Sequence, residues 1–300
     1  MVLTAPRCGH PRERHIGGSV SNNVLRPGEI RVDGVRSPLL EGGRPESDEA
    51  VVFVHGNPGS SRDWTRLATA AAQFGRVVAL DMPGFGRADK PRGFEYTVRG
   101  YAQHLAGALA QLHIRRAHLV LHDFGGPWGL AWAATHPHEF VTVTLIDTGV
   151  LTGYRWHYLA RIWRTPLLGE LFQATATRRG FHLLLKHGNP RGLPREFIDQ
   201  MFDDYDRGTR RAVLKLYRAT GDPGRMEEMA RALRPLARPA LVVWGKHDPY
   251  IPVSYAERQR EVFPSAKVIV LEQSGHWPFA DDPGAVAQAV LPFLRGQLRR

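Results

Sequence analysis

Cysteine is nearly absent from this chain of 300 residues, which contains Cys8 and no other. A single thiol excludes a disulfide within the chain and leaves the reducing cytoplasm as the default expectation. No segment has the roughly eighteen consecutive apolar residues of a membrane-spanning helix, and residues 1–23 lack the apolar segment of a signal peptide. We therefore expect a cytoplasmic protein without a membrane partner.

Acidic residues are the scarcer charge, with 29 Asp and Glu against 40 Lys and Arg and a formal net charge of +11. Much of the excess lies in residues 150–220, where 13 Lys or Arg face 6 Asp or Glu. No nucleic-acid-binding motif accompanies these charges, and Arg161, Arg164, Arg178 and Arg179 have the spacing of exposed helix faces. We predict a solvated basic surface and no nucleic-acid partner, while an anionic or polyaromatic substrate stays open.

Strand-like apolar segments alternate with helix-period segments along most of the chain. Residues 28–41 have the pattern of an antiparallel hairpin with a turn at Asp33 and Gly34. Helical stretches such as 63–74 and 98–112 separate the later strands, which predicts a parallel sheet with helical crossovers. The later predicted strands are 51–54, 77–81, 119–123, 141–147, 240–244 and 267–271.

One strand ends in an aspartate followed by glycines. Residues 120–126 read Val-Leu-His-Asp-Phe-Gly-Gly, with Asp123 at the junction. This pattern is typical of a nucleophile elbow, a tight strand-to-helix turn that pushes one side chain into the active site. A carboxylate there is ionised at neutral pH and can attack a saturated carbon, displacing a halide or opening an epoxide. The alternative, a helix cap at Asp123, is less favoured because two further signals follow in the expected order.

Two later strands also end at chemically active side chains. Residues 242–252 form an apolar strand and a glycine turn that carries Asp248, and the loop after strand 267–271 carries His276. Taken singly, an Asp before Pro indicates a turn and a loop His indicates a surface residue. Each of the three side chains follows the C-terminal end of a strand, where ligands bind in open α/β sheets. In this order Asp123, Asp248 and His276 predict a nucleophile, an acid and a base.

Residues 51–61 have the pattern of a buried strand that opens into a glycine-rich loop. The backbone N–H of Asn57 in this loop can pair with the N–H of Phe124 to form an oxyanion hole. A plain turn built from Gly and Pro is an equally good interpretation of this segment taken alone.

With these four elements the chain resembles the α/β-hydrolase superfamily, in the branch with an aspartate nucleophile that includes epoxide hydrolases and haloalkane dehalogenases. The resemblance extends from about Pro27 to the C terminus. It implies a mostly parallel twisted sheet flanked by helices, with a small helical cap inserted after the sixth strand, and neither a cofactor nor a metal. We assign residues 28–149 and 225–300 to the core, 150–224 to the cap and 1–27 to a disordered tail.

The resemblance also implies roles for three more residues. Tyr217 lies 59 residues before His276, as a cap tyrosine does in epoxide hydrolases, and Trp156 lies where that family usually places a second tyrosine. An indole N–H is also a donor, so we expect both to contact substrate, although packing in the cap core is the alternative for each. Asp147 is a reserve acid because some relatives place theirs there. A strand-end cap is its favoured interpretation, since Asp248 is present.

We expect a small apolar or aromatic substrate, and the sequence leaves two possible reactions. Asn57 resembles the halide-binding asparagine of dehalogenases, but Phe124 lacks the N–H of the tryptophan those enzymes carry after the nucleophile. Epoxide hydrolysis to a diol through an alkyl-enzyme ester is therefore expected, with haloalkane dehalogenation as the alternative. A fluoroacetate-type dehalogenase is less favoured because it needs arginines just after the nucleophile. A non-catalytic ligand receptor is less favoured because all three catalytic candidates are intact. The oligomeric state stays open.

Overall fold

A computed structural model describes residues 24–221 and 223–299, so most of the tail predicted over 1–27 lies outside the described residues. The first strand begins at Arg26, which places Arg26 and Pro27 in the sheet and not in the tail. The described strands are β1 (Arg26–Val32), β2 (Val35–Gly42), β3 (Glu49–Val54), β4 (Arg76–Leu80), β5 (Arg116–His122), β6 (Phe140–Ile146), β7 (Ala240–Gly245) and β8 (Lys267–Leu271).

Helices occupy the segments between these strands. The described α-helices are α1 (Thr65–Ala71), α2 (Val98–Gln111), α3 (Gly125–Thr135), α4 (Tyr158–Arg164), α5 (Leu168–Ala174), α6 (Arg178–Lys186), α7 (Arg195–Asp203), α8 (Arg207–Ala219), α9 (Pro223–Leu233), α10 (Ser254–Arg258), α11 (Pro278–Asp281) and α12 (Pro283–Gln297). The helix predicted over 63–74 is shorter, because a 3₁₀ turn over Ser61–Trp64 precedes α1.

The eight strands form one sheet in the order β1-β2-β4-β3-β5-β6-β7-β8. β1 and β2 are the predicted hairpin, and β2 also pairs antiparallel with β4. The turn residues of the hairpin, Asp33 and Gly34, have φ of 51° and 80°. A two-residue turn that matches the twist of its strands requires such positive φ values. From β4 to β8 the strands are parallel, which confirms the predicted mostly parallel sheet.

The central strands are continuous apolar runs because helices cover the sheet. Every residue of β3 is buried, and so is every residue of β7, as expected for parallel strands covered on both faces. The covering helices form two groups: α2, α3 and α9 pack together, and α1 packs against α12. Because these strands are parallel, the carboxyl ends of β3, β5, β6 and β7 meet at one edge of the sheet.

Between β6 and α9 the chain forms five helices, α4 to α8, which we call the helical insertion (residues 158–219). Its interior is aromatic, with Trp163, Phe181 and Tyr205 all buried. α9 packs on α3, beside the core. The insertion lies within the predicted cap, whose boundaries at 150 and 224 stay a prediction. In the described part of the chain, every helix is too short or too polar to cross a lipid bilayer.

Candidate active site

Asp123 lies at a sharp turn between β5 and α3, with φ of 47°. This left-handed conformation costs a non-glycine residue about 1–3 kcal/mol, so the surroundings must enforce it. Two glycines allow the close packing: a Cβ on Gly56 would lie 2.4 Å from the Asp123 Cβ, and one on Gly126 would lie 2.0 Å from Thr148 Oγ1. Thr148 also donates its hydroxyl to the Asp123 carbonyl oxygen at 2.5 Å. The elbow predicted from the sequence is therefore present in the structure.

The carboxylate of Asp123 accepts a backbone hydrogen bond, which the N–H of Asn57 donates to Oδ2 at 2.6 Å. Burial raises the pKa of Asp123, while the charge of His276 and the backbone N–H groups of Asn57 and Phe124 act in the opposite direction. The two predicted oxyanion-hole donors thus both stabilise the charge of the same carboxylate.

Buried polar side chains hold the loop that carries Asn57. His55 donates its Nδ1–H to the carbonyl oxygen of Gly56 at 2.8 Å and accepts the N–H of Met82 at Nε2, at 3.0 Å. Burial lowers the pKa of His55, which favours the neutral ring that this pattern needs. Asp81 accepts the N–H of Ser61 at 2.6 Å. These bonds fix the direction of the Asn57 N–H before any substrate binds.

His276 lies between two carboxylates. Its Nδ1 donates to Asp248 Oδ2 at 2.7 Å, and its Nε2 lies 3.9 Å from Asp123 Oδ1. The second distance is too long for a hydrogen bond. Asp248 is itself held by the N–H groups of Tyr250 and Ile251, which donate to its Oδ1 at 2.7 and 2.9 Å. Burial lowers the pKa of His276. The charge and hydrogen bond of Asp248 and the charge of Asp123 together raise it by more than burial lowers it, so the pKa lies above its ordinary value.

Asp147, the predicted reserve acid, is fully buried next to Asp248. Its Oδ1 accepts the N–H of Gly245 at 2.9 Å. Burial, and then the charge of Asp248, hold the pKa of Asp147 well above its usual range, which favours a protonated carboxyl group. Asp147, Asp248 and His276 also bring potential metal-ligand atoms within 4.8 Å of one another. The ligand atoms of Asp248 and His276 are engaged with each other, so the arrangement fits an acid and imidazole pair better than a metal site.

His122, which precedes Asp123, was not predicted to contribute to the site. It is buried, and its Nε2–H donates to the backbone carbonyl oxygen of His276 at 2.7 Å. Burial holds the pKa of His122 well below its usual range, with the charge of His276 acting in the same direction. A neutral His122 therefore ties the strand of the nucleophile to the loop of the base.

A cavity of about 350 Å³ opens above Asp123, and the predicted residues Phe124, Trp156 and Tyr217 line it. Tyr217 lies edge-on to the Phe124 ring at 5.0 Å between centroids and accepts a hydrogen bond from Asn57 Nδ2 at 3.3 Å. Burial and the nearby charge of Asp123 raise the pKa of Tyr217 well above its usual range. Its hydroxyl therefore keeps a proton that it can donate.

Trp156 lines the same cavity, and its ring makes a cation–π contact with Arg164. The Arg164 guanidinium is 5.1 Å from the Trp156 ring centroid and donates to the carbonyl oxygens of Tyr217 and Thr220. Arg164 is therefore half-buried and structural, and the prediction that it forms part of a solvated face is wrong.

None of the described residues that line this cavity is Lys or Arg, so the cavity suits an apolar substrate better than an anionic one.

His157 is a site residue that the sequence reasoning missed. Its Nδ1 accepts the N–H of Ala160 at the start of α4, at 3.2 Å, so the ring proton lies on Nε2. Burial, with the charge of His276, lowers the pKa of His157 to about 4. The ring is thus a neutral N–H donor at the cavity wall, with Asp123 and Tyr217. A histidine directly before the helical run 158–164 was the available signal.

A second, narrower cavity of about 30 Å³ also reaches the nucleophile. Asp123, His157, Tyr217 and Tyr250 line both cavities, whereas His276 lines only this smaller one. Asp123 is thus accessible from two directions, and the smaller space on the His276 side can hold a water molecule.

Known proteins resemble this chain across most of its length. A family model described as alpha/beta hydrolase fold matches residues 49–283. An uncharacterized protein of Mycobacterium tuberculosis is 29% identical over 265 residues, 83% of this chain and 76% of that protein. A cis-3-alkyl-4-alkyloxetan-2-one decarboxylase of Shewanella oneidensis is 27% identical over 266 residues, 82% of each. The crystal structure of haloalkane dehalogenase DbeA from Bradyrhizobium elkani has a TM-score of 0.79 at 24% identity, covering 91% of this chain and 98% of that one, which shows a shared fold.

Proposed function

This chain belongs to the α/β-hydrolase fold family, and on that premise we propose that it hydrolyses apolar epoxides to diols through an alkyl ester on Asp123. One observation carries the proposal: the side chain at the tip of the elbow is a carboxylate, held by the Asn57 N–H at 2.6 Å. A serine there would need His276 to remove its proton before attack. An ionised carboxylate needs no such step and can attack a saturated carbon directly.

In the first step, an oxygen of Asp123 attacks a ring carbon and the carbon–oxygen bond of the epoxide breaks. The electron pair moves to the ring oxygen, which stays attached to the substrate and must receive a proton. The Tyr217 hydroxyl is the donor, because Tyr217 lines the cavity together with Asp123 and its hydroxyl carries a proton. The Nε2–H of neutral His157, whose ring centroid lies 5.9 Å from that of Tyr217, stabilises the same developing charge.

In the second step, His276 takes a proton from water, and the resulting hydroxide attacks the carbonyl carbon of the Asp123 ester. The N–H groups of Asn57 and Phe124 stabilise the oxyanion of the tetrahedral intermediate. Asp248 stabilises the imidazolium through the 2.7 Å hydrogen bond to Nδ1. Collapse of the intermediate breaks the ester bond, and the leaving alkoxide takes the proton from His276 to become the second hydroxyl of the diol. The proton left on the Asp123 carboxyl group returns to the Tyr217 oxygen, which restores both side chains.

Haloalkane dehalogenation is the second candidate, and Asn57 favours it. The Asn57 amide extends into the site, 3.3 Å from the Tyr217 hydroxyl oxygen, and an amide N–H can bind halide. Phe124 offers no second side-chain N–H beside it. Opening of an epoxide leaves an oxygen that needs a proton, which matches the Tyr217 hydroxyl and favours the epoxide.

Turnover of matched substrate pairs tests the proposal. We would measure diol formation from 1,2-epoxyalkanes and styrene oxide, and bromide release from bromoalkanes of equal carbon number, with Asp123→Ala as the control. We expect diol formation to be faster and to be lost in the control. Faster bromide release would favour the second candidate, and epoxide turnover that survives in Asp123→Ala would contradict the proposal.

A further inference from the structure

The outer surface of the helical insertion carries a groove of about 630 Å³ between α5 and α6. It lies next to the 30 Å³ cavity beside His276, because four side chains line both spaces. These four, which we call the wall, are Trp163, Phe181, Leu184 and Tyr205. A single layer of side chains therefore separates the groove from the space next to Asp123 and His276.

The groove is apolar although it opens to solvent. Leu183 lines it with 74% of its surface exposed, and Phe172 lines its other side. Most of the exposed large apolar side chains of the described chain lie on the helical insertion, namely Tyr158, Leu167, Leu168, Leu171 and Leu183, and of these Leu183 lines the groove. An apolar groove that opens to solvent marks a candidate binding surface.

The two halves of the wall are held differently. Tyr205 is fixed, because Gln173 donates to its hydroxyl at 2.9 Å and the Arg210 guanidinium lies 5.8 Å from its ring centroid. Phe181 and Leu184 lie on α6, and the ring contacts of Phe181 are apolar, to Phe202 and Tyr205 at 5.6 and 5.3 Å between centroids. A rotamer change of Phe181 or Leu184 therefore breaks no hydrogen bond of the side chain.

We propose that this groove is a second substrate subsite, which takes an alkyl chain that reaches Asp123 through the wall. The inference rests on the proposed function for the identity of the reacting carbon. Since Asp123 lines both inner cavities, a ring carbon at the nucleophile can extend one substituent into the 350 Å³ cavity and another past Phe181 and Leu184. The substrate class is then an internal epoxide with two apolar arms, one of them a long alkyl chain.

A charge placed in the groove tests the subsite in turnover. Leu183→Glu puts a carboxylate in the groove, and Leu171→Glu is the matched control, since Leu171 is 62% exposed on α5 and does not line the groove. For a long-chain internal epoxide we expect Leu183→Glu to lower kcat/KM by roughly tenfold to a hundredfold, the scale for losing the burial of a few methylene groups. A short terminal epoxide should be unaffected, and so should the control variant. If Leu183→Glu changed kcat/KM equally for both substrates, or for neither, the proposed subsite would be contradicted.

Binding without turnover separates this proposal from the proposed function. A nitroxide-labelled long-chain alcohol has no ring or halide to react, and it should quench the fluorescence of Trp163 in the wall. We expect quenching in the wild type and in Asp123→Ala, and its loss in both Trp163→Phe and Leu183→Glu. Quenching that persists in Leu183→Glu, or none in the wild type, overturns the subsite. Quenching without epoxide turnover would support the subsite and contradict the proposed function.

Discussion

The Nε2 atom of His276 lies 3.9 Å from Oδ1 of Asp123, facing the carboxylate without a hydrogen bond to it. In the reaction proposed above, the imidazole is not needed for the attack by Asp123, since the carboxylate carries its own charge. Its proposed role is to activate water against the carbonyl carbon of an Asp123 ester. The two chemical steps should therefore be separable by substitutions at these two residues.

Replacing the base should stop the enzyme between the steps. In His276→Gln we expect alkylation of Asp123 to proceed and hydrolysis to fail, because only hydrolysis needs a base. Intact-protein mass spectrometry after incubation with a confirmed substrate should show one substrate-sized adduct, and peptide mapping should place it on Asp123. Asp123→Ala serves as the control and should stay unmodified. An unmodified His276→Gln protein would contradict the order of steps.

The pKa of His276 should fall when Asp123 is alkylated. In the free enzyme the negative charge of Asp123 helps to raise this pKa above its ordinary value, and an ester carries no such charge. Hydrolysis needs neutral His276, so its rate should rise with pH around a midpoint below the pKa of the free enzyme. Single-turnover hydrolysis across pH gives the midpoint, and NMR titration of His276 in the wild type gives the free value. A midpoint at or above the free value would refute this coupling, and Asp123→Ala should itself show the lowered pKa.

Asp147 and Asp248 should respond differently to the same substitution. Asp147→Asn keeps an oxygen for the Gly245 N–H and supplies an amide donor in place of the carboxyl proton, so we expect activity within about threefold of wild type. Asp248→Asn removes the charge that stabilises the His276 imidazolium, which should lower kcat on the order of 10⁴-fold. Steady-state kinetics of both variants give the two values of kcat. A larger loss of kcat in Asp147→Asn than in Asp248→Asn would identify Asp147 as the acid.

Sequence alone located the parts of the site that depend on local pattern. Asp123, Asp248 and His276 each follow a strand, and the parallel sheet brings strand ends to one edge, so their meeting could be predicted. The raised pKa of Asp147 could not be predicted, because it depends on how deeply β6 buries this carboxyl group and how closely Asp248 lies beside it. His157 was missed because its tautomer depends on where α4 starts and its lowered pKa on how the insertion packs above it.

Tyr217 and Phe124 should separate the two candidate reactions. If the substrate is an epoxide, Tyr217→Phe should lower the alkylation rate by about a hundredfold, the scale for losing one positioned proton donor. A departing halide takes no proton, so a bromoalkane should be affected less, and Phe124→Trp should then raise activity by adding an N–H. Pre-steady-state alkylation with an epoxide and a matched bromoalkane gives all the rates. Loss on the bromoalkane equal to loss on the epoxide would contradict the role of Tyr217 as a proton donor.

The identity of Asp123 as the nucleophile is tested most directly by single turnover in water enriched in ¹⁸O. Water attacks the carbonyl carbon of the ester and not the carbon of the substrate, so the new hydroxyl of the product comes from the carboxylate of Asp123. We predict that the product of the first turnover is unlabelled and that a peptide containing Asp123 gains one ¹⁸O atom. Label in the first product, with none in the protein, would show that water attacks the substrate itself and would contradict the account.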